Sequence, residues 1–218
     1  MTRDKPSGPA APQAPTAASQ GRQLILDTAA RLFRNEGYSA ITLRDIAGEC
    51  GMKAASLYYH FASKDEIVGE VLRIGVERVF EDVRRAVMAL PPDADTRALL
   101  QAAVHAHLSA LLELQDYTSA NVRILGHVPR AVRERHVGLR DTYERYWTGL
   151  LERCGGGGQF DAKRNLHLAR LFLMSALNGA LEWYHAGGAS VETIASELTE
   201  LFLNGIQERR RGKPRPIR

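Results

Sequence analysis

The chain has only two cysteines, Cys50 and Cys154, in 218 residues. That is too few for a disulfide framework, and a reducing cytoplasm is the simple expectation. No apolar run approaches the roughly 20 residues that a membrane-crossing helix needs, so no membrane partner is expected. The first residues are rich in proline and alanine and lack the apolar stretch of a secretion signal. From Asp93 onward no strand pattern appears. Enzyme signatures are missing too: there is no nucleophile motif, no H-E-x-x-H and no dinucleotide-binding glycine fingerprint. The run Gly155 to Gly158 reads as a flexible loop, because no strand precedes it and no Gly-Lys-Ser/Thr follows. His105 and His107, two residues apart, point to opposite sides of a helix and make a poor metal pair. No enzyme activity, cofactor or metal is expected.

Basic charge is also thinner than the net +4 suggests. The ten residues Arg209 to Arg218 hold six Lys or Arg, and the remainder carries 23 basic against 25 acidic residues, or −2. Arg22 to Glu70 has six basic and seven acidic residues. The pI of 9.2 therefore does not argue for a nucleic-acid face. What remains is the composition of a soluble globular protein, 44% apolar and 25% charged, long enough for one or two domains.

The informative stretch is Thr42 to Lys64, TLRDIAGECGMKAASLYYHFASK. Thr42 is a good helix N-cap with Asp45 three residues on. Leu43, Ile46 and Ala47 share one helical face. Gly51 follows where a C-cap glycine belongs, and Met52 can plug the turn. A second helix over about Ala54 to His60 starts at once, and Ser63 with Glu66 forms the capping box of a third. Two short helices joined by a glycine turn make a helix-turn-helix, whose second helix fits the DNA major groove. The small or basic residues Lys53, Ala54, Ala55 and Ser56 allow close approach to base edges. Tyr58, Tyr59, His60 and Lys64 can donate to phosphates.

These strings resemble the DNA-binding domain of TetR-family transcriptional regulators. LYYHFASKDEI, preceded by ITLRDIAGECGMKAAS, carries the likeness, together with the A-x-x-L-F-x-x-x-G-Y pattern from Ala29 to Tyr38. The resemblance implies phosphate contacts from Thr42, Ser56, Tyr59, His60 and Lys64, and a base-facing set of Lys53, Ala54, Ala55 and Tyr58. Alanine offers only apolar contact, so DNA shape is expected to share in specificity. It also implies double-stranded operator DNA as partner and a homodimer.

The expected fold is all-α, with a three-helix DNA-binding domain over 21–70 and a larger helical ligand-binding and dimerisation domain over 71–210. A disordered arm (1–20) and a basic tail (211–218) flank them. Helices are expected over about Arg22–Glu36, Lys64–Leu90, Thr96–Gln115, Ser119–Leu125, Pro129–Cys154, Ala162–Ala186 and Val191–Arg210. The last two are apolar enough to form a four-helix seam with a second copy.

A ligand pocket is expected between the C-terminal helices. Candidate lining residues are Arg123, His127, Arg140, Tyr143, Trp147, Asn178, Glu182 and Trp183, from a wider set that includes His105, His107, Tyr117, Asn121 and Tyr184. Asn178 stands out in the apolar run LFLMSALNGALEWYH: a buried amide needs a partner, either a ligand or an Asn across the dimer seam. The segment from Leu177 to Gly188, L-N-x-x-x-x-W-Y-x-x-G-G, is similar to the branch of the family that regulates fatty-acid and sterol-ring catabolism. That likeness implies acyl-CoA effectors, whose phosphates need cations; Arg123, Arg130, Arg133, Arg140 and Arg145 are available. The alternatives are a sensor of drug-like hydrophobic compounds and a helical interaction protein that has lost DNA binding.

Overall fold

A computed structural model describes residues 17–114, 116–155 and 165–206. Among them are nine α-helices and no strand: α1 (Ala17–Glu36), α2 (Leu43–Glu49), α3 (Ala54–His60), α4 (Lys64–Met88), α5 (Thr96–Ser109), α6 (Asp116–Ile124), α7 (Arg130–Gly155), α8 (Leu166–Trp183) and α9 (Val191–Ile206). The all-α expectation holds. The expected arm as far as residue 16, the glycines 156–158 and the tail 211–218 lie outside the described residues. None of the described helices is long and apolar enough to cross a membrane.

The capping signals act largely as read, except that the Glu66 carboxylate accepts from the Ala62 amide at 2.8 Å rather than from Ser63, leaving the second capping box half formed. Thr42 and Asp45 form a full capping box on α2, and Ser63 accepts from the Glu66 amide at the start of α4. Gly51 turns the chain with φ 65°, a conformation that costs glycine little. The Met52 amide then bonds back to the Ala47 carbonyl at 3.0 Å.

Four boundaries differ from expectation. Helix α1 begins at Ala17, so the last residues assigned to the arm are helical; Ala and Gln extend a helix already anchored by its buried face. The expected helix to Gln115 widens into a π turn over Ala110–Leu114. The wider turn leaves Ala110 and Leu111 both in the core, as a one-residue insertion does. Helix α6 then starts at Asp116, an acid suited to a helix N-terminus, three residues before the expected Ser119. Helix α8 ends at Trp183, with Tyr184 extended, rather than at Ala186.

Two hydrophobic clusters organise the chain. One joins Val79, Val83 and Val87 of α4 to Leu100 and Leu108 of α5, Trp147 and Leu151 of α7, Leu177 of α8 and Ala195 of α9. The other is the core of α1–α3, closed by the first turns of α4. It also takes in Tyr117, Ala120 and Ile124 of α6 and Val132 of α7. The packing of the N-terminal unit thus continues past residue 70: α6 is part of its core.

Candidate functional site

Helix α3 is held to the N-terminal core by one buried side chain, Leu57. The rest of it faces outward. Lys53, Ala55, Ser56, Tyr58 and Tyr59 are exposed, while Ala54 and His60 are half-buried. Tyr59 is 80% exposed and meets the His60 ring edge-on at 5.2 Å. Large aromatic rings left in water on a seven-residue helix have no packing role, which suits a surface that receives a partner. Two of the expected phosphate donors are engaged within the protein. The Thr42 hydroxyl donates to Asp45 at 2.7 Å. The Lys64 ammonium donates to the Tyr38 carbonyl and lies over the Tyr38 ring at 4.0 Å; burial lowers its pKa from the ordinary value. Lysine has three N–H donors, so Lys64 keeps capacity for a phosphate, whereas Thr42 has spent its one hydroxyl proton.

Helix α6 ties this unit to the rest of the chain. The Tyr117 hydroxyl donates to Asp27 of α1 at 2.6 Å and accepts from Gln23 at 3.1 Å. Burial and Asp27 raise its pKa. The Arg78 guanidinium of α4 covers the Tyr117 ring at 4.4 Å. Arg34 of α1 pairs with Asp116. On its other side α6 grips α4, where Asn121 donates to the Leu72 carbonyl at 2.8 Å and Thr118 to the Gly75 carbonyl at 3.4 Å.

Behind α6 lies a cavity of about 290 Å³. Gly75, Val76 and Val79 of α4 line it, with His107 of α5, Thr118, Asn121 and Val122 of α6 and Leu125 just after it. Helix α7 adds Arg140, Tyr143 and Glu144; α8 adds Arg170, Leu171, Met174, Ser175 and Asn178. Its walls carry two polar groupings. Arg170, only 5% exposed, donates to Glu144 at 2.7 Å, and Arg140 approaches the same carboxylate at 3.4 Å. A buried guanidinium without that carboxylate would carry a large desolvation cost. The second grouping centres on His107. Its Nδ1 lies 2.8 Å from the Tyr143 hydroxyl and its Nε2 3.2 Å from Asn178 Oδ1. Burial pushes the His107 pKa down to about 4, against the opposing bond to Asn178, so the ring is neutral at pH 7. Burial also raises the pKa of Tyr143.

A separate open groove runs between α8 and α9, bordered by Ala176, Gly179, Trp183, Ile194, Leu198 and Leu201. Phe172, 69% exposed, and Leu201, 70% exposed, stand on the same outer surface.

Comparison with known families and structures places these features together. A family model described as bacterial regulatory proteins, tetR family, matches residues 25–71, and one described as tetracyclin repressor-like, C-terminal domain, matches residues 93–206. This chain belongs to the TetR family. Among relatives, it is 31% identical to the HTH-type transcriptional repressor KstR2 of Rhodococcus jostii over 88% of this chain and 94% of that one. The solved structure of the ketosteroid transcriptional regulator KstR2 of Mycobacterium tuberculosis superposes with a TM-score of 0.73 at 25% identity, covering 86% of this chain and 95% of that one. AibR, solved with isovaleryl coenzyme A and operator DNA, shares the fold with a TM-score of 0.72 at 16% identity, covering 85% and 97%. As a TetR-family member the protein is a DNA-binding regulator and not an enzyme.

Within this TetR-family architecture, Arg140, Tyr143 and Asn178 meet at the cavity. His107 and Asn121 of the wider set line it too, whereas Arg123, His127, Trp147, Glu182 and Trp183 do not. Arg123 reaches the Arg34 carbonyl of α1 at 3.3 Å, and His127, exposed, lies 3.2 Å from the Arg123 carbonyl. Trp147 is fully buried in the core behind Tyr143. Glu182 and Trp183 are exposed, on the outer face of α8. Of the arginines offered for phosphates, Arg130 pairs with Glu134 and Arg133 caps the Gly126 carbonyl. Sequence reasoning missed Glu144, Arg170 and Gly75. A lone arginine within the apolar run from Leu166 to Leu173 was the available signal for Arg170.

Proposed function

We propose that this protein is a repressor that binds a palindromic operator as a homodimer and is released by a small hydrophobic effector, an acyl-CoA thioester. The observation that carries the reading is the double role of α6. Thr118, Asn121 and Val122 wall the cavity, while Tyr117, Ala120 and Ile124 belong to the core of the DNA-binding unit. Anything that enlarges the cavity pushes on an element packed against α1 and α4. Half-sites one DNA turn apart, about 34–36 Å, tolerate little change in the separation of two recognition helices. An effector acts only by binding the released arrangement more tightly than the operator-bound one.

The dimer reading is supported by Phe172, Trp183 and Leu201, which leave an apolar face on α8 and α9 open to solvent. A second copy would cover it. The effector class is supported by the mixture of apolar walls with Arg140 and Arg170. About 290 Å³ is at the lower limit for a drug-sized ligand, so the acyl group would fill the cavity and the nucleotide would lie outside, along α7. The relatedness to KstR2, named a transcriptional repressor, agrees with repression, and AibR is a chain of this fold solved with an acyl-CoA.

Calorimetric titration with an acyl-CoA, the free acid and coenzyme A alone tests the class. Binding of the thioester, with weaker binding to an Arg140→Ala variant, is expected. Equal binding of the free acid and the thioester would remove coenzyme A from the proposal.

A further inference from the structure

The polar chain in the cavity has a direction, and the direction ends on an unused donor. Asn178 presents its amide oxygen to His107 Nε2 at 3.2 Å. An amide oxygen only accepts, so Nε2 carries the proton of the neutral ring. His107 Nδ1 is then an acceptor, and the Tyr143 hydroxyl 2.8 Å away donates to it. With its oxygen on His107 Nε2, the Asn178 amide has its nitrogen turned from the ring. Among the described residues that nitrogen has no hydrogen-bond partner, and Asn178 lines the cavity.

We infer that the Asn178 amide N–H is the polar anchor of the effector and donates to a carbonyl oxygen set in an otherwise apolar body. The inference rests on the cavity being the effector site and names the group recognised there. A neutral acceptor fits better than a carboxylate. The neighbouring His107 carries no charge, and the cavity's buried cation, Arg170, already holds Glu144. Val76, Val79 and Met174 line the same cavity, and an apolar ligand packed there without an acceptor would strand the amide donor at a cost. The carbonyl has two sources, a ring ketone or the thioester carbonyl itself.

Matched pairs separate these sources. The probes are trans-1-decalone against decalin, and the hexanoyl thioester of N-acetylcysteamine against the hexyl thioether. Binding to the full chain, without DNA, is followed by the tryptophan fluorescence of wild type, Asn178→Leu and Asn178→Asp; the aspartate keeps an acceptor for His107 and removes the N–H. In wild type at least one carbonyl compound is expected to bind about tenfold or more tighter than its partner. The preference is expected to disappear in both variants. The ketone pair alone responding identifies a ring ketone; the thioester pair alone identifies the acyl carbonyl. A carbonyl preference that survives in both variants, or no preference in either pair in wild type, overturns the inference. Carbonyl recognition through Asn178 without any effect on operator binding would instead overturn the effector reading of the cavity and leave the anchor standing. Release from the operator that is equal in wild type and Asn178→Leu would do the reverse.

Discussion

A methyl group on Gly75 would lie 2.5 Å from the carbonyl oxygen of Tyr117. The two helices that meet there, α4 and α6, approach so closely because position 75 has no side chain. The contact is backbone against backbone, which yields less readily than two flexible side chains would. Gly75 also faces the cavity, so the tightest point of the interface is in reach of a ligand.

Gly75→Ala is therefore expected to force α4 and α6 apart. Overpacking of this kind costs about 1–3 kcal/mol, and the loss would be read by chemical denaturation. The better helix propensity of alanine, worth up to about 1 kcal/mol, offsets part of it. A variant as stable as wild type would mean that α6 moves freely, against the role given to it here.

Tyr117→Phe removes the hydroxyl that bonds Asp27 and Gln23 while keeping the buried ring. A stability loss of about 1 kcal/mol is expected. The telling measurement is the effector-induced change in operator affinity, which should shrink while effector affinity measured without DNA stays the same. An unchanged ratio would show that α6 and α1 are coupled by apolar packing alone.

The buried histidine gives a pH dependence of defined sign. His107 has its pKa lowered to about 4 from an ordinary value of 6.5. Above pH 6.5 the ring is neutral in both folded and unfolded chains. As pH falls from 6.5 toward 4 the unfolded chain takes up a proton that the folded chain refuses, so stability declines. His136 is lowered in the same direction by its burial. Denaturation of wild type and His107→Gln at pH 7 and pH 5 isolates the contribution of His107: the variant should lose less stability over that interval. An equal loss in both would contradict the neutral assignment.

Phe172→Asp combined with Leu201→Arg places charges on the outer face of α8 and α9. A monomer is expected by analytical ultracentrifugation, with the helical content retained and operator affinity lost. A stable dimer of this variant would put the seam elsewhere on the molecule.

The helix-turn-helix was legible because its signals are local. Thr42 caps with Asp45, Gly51 turns, and Ser63 caps with Glu66, each signal contained within about three or four residues. The cavity was only half legible. Arg140, Tyr143 and Asn178 were readable as polar groups on apolar faces. Glu144 and Arg170, on different helices, acquire meaning only when α7 and α8 pack. The side on which a residue falls also depends on neighbours: Trp183 and Asn178 share α8, yet one faces solvent and the other the cavity. The membership of α6 in the N-terminal core was hidden for the same reason. Nothing within residues 116–124 says that Tyr117 will find Asp27, some ninety positions away.

The most direct test is binding of the protein to DNA upstream of its own gene, at moderate salt where non-specific phosphate contacts weaken, with and without a series of acyl-CoA thioesters and their free acids. The account predicts tight, sequence-specific binding that a thioester abolishes and the matching acid does not. Specific binding that no thioester changes, or no specific binding at all, would contradict it.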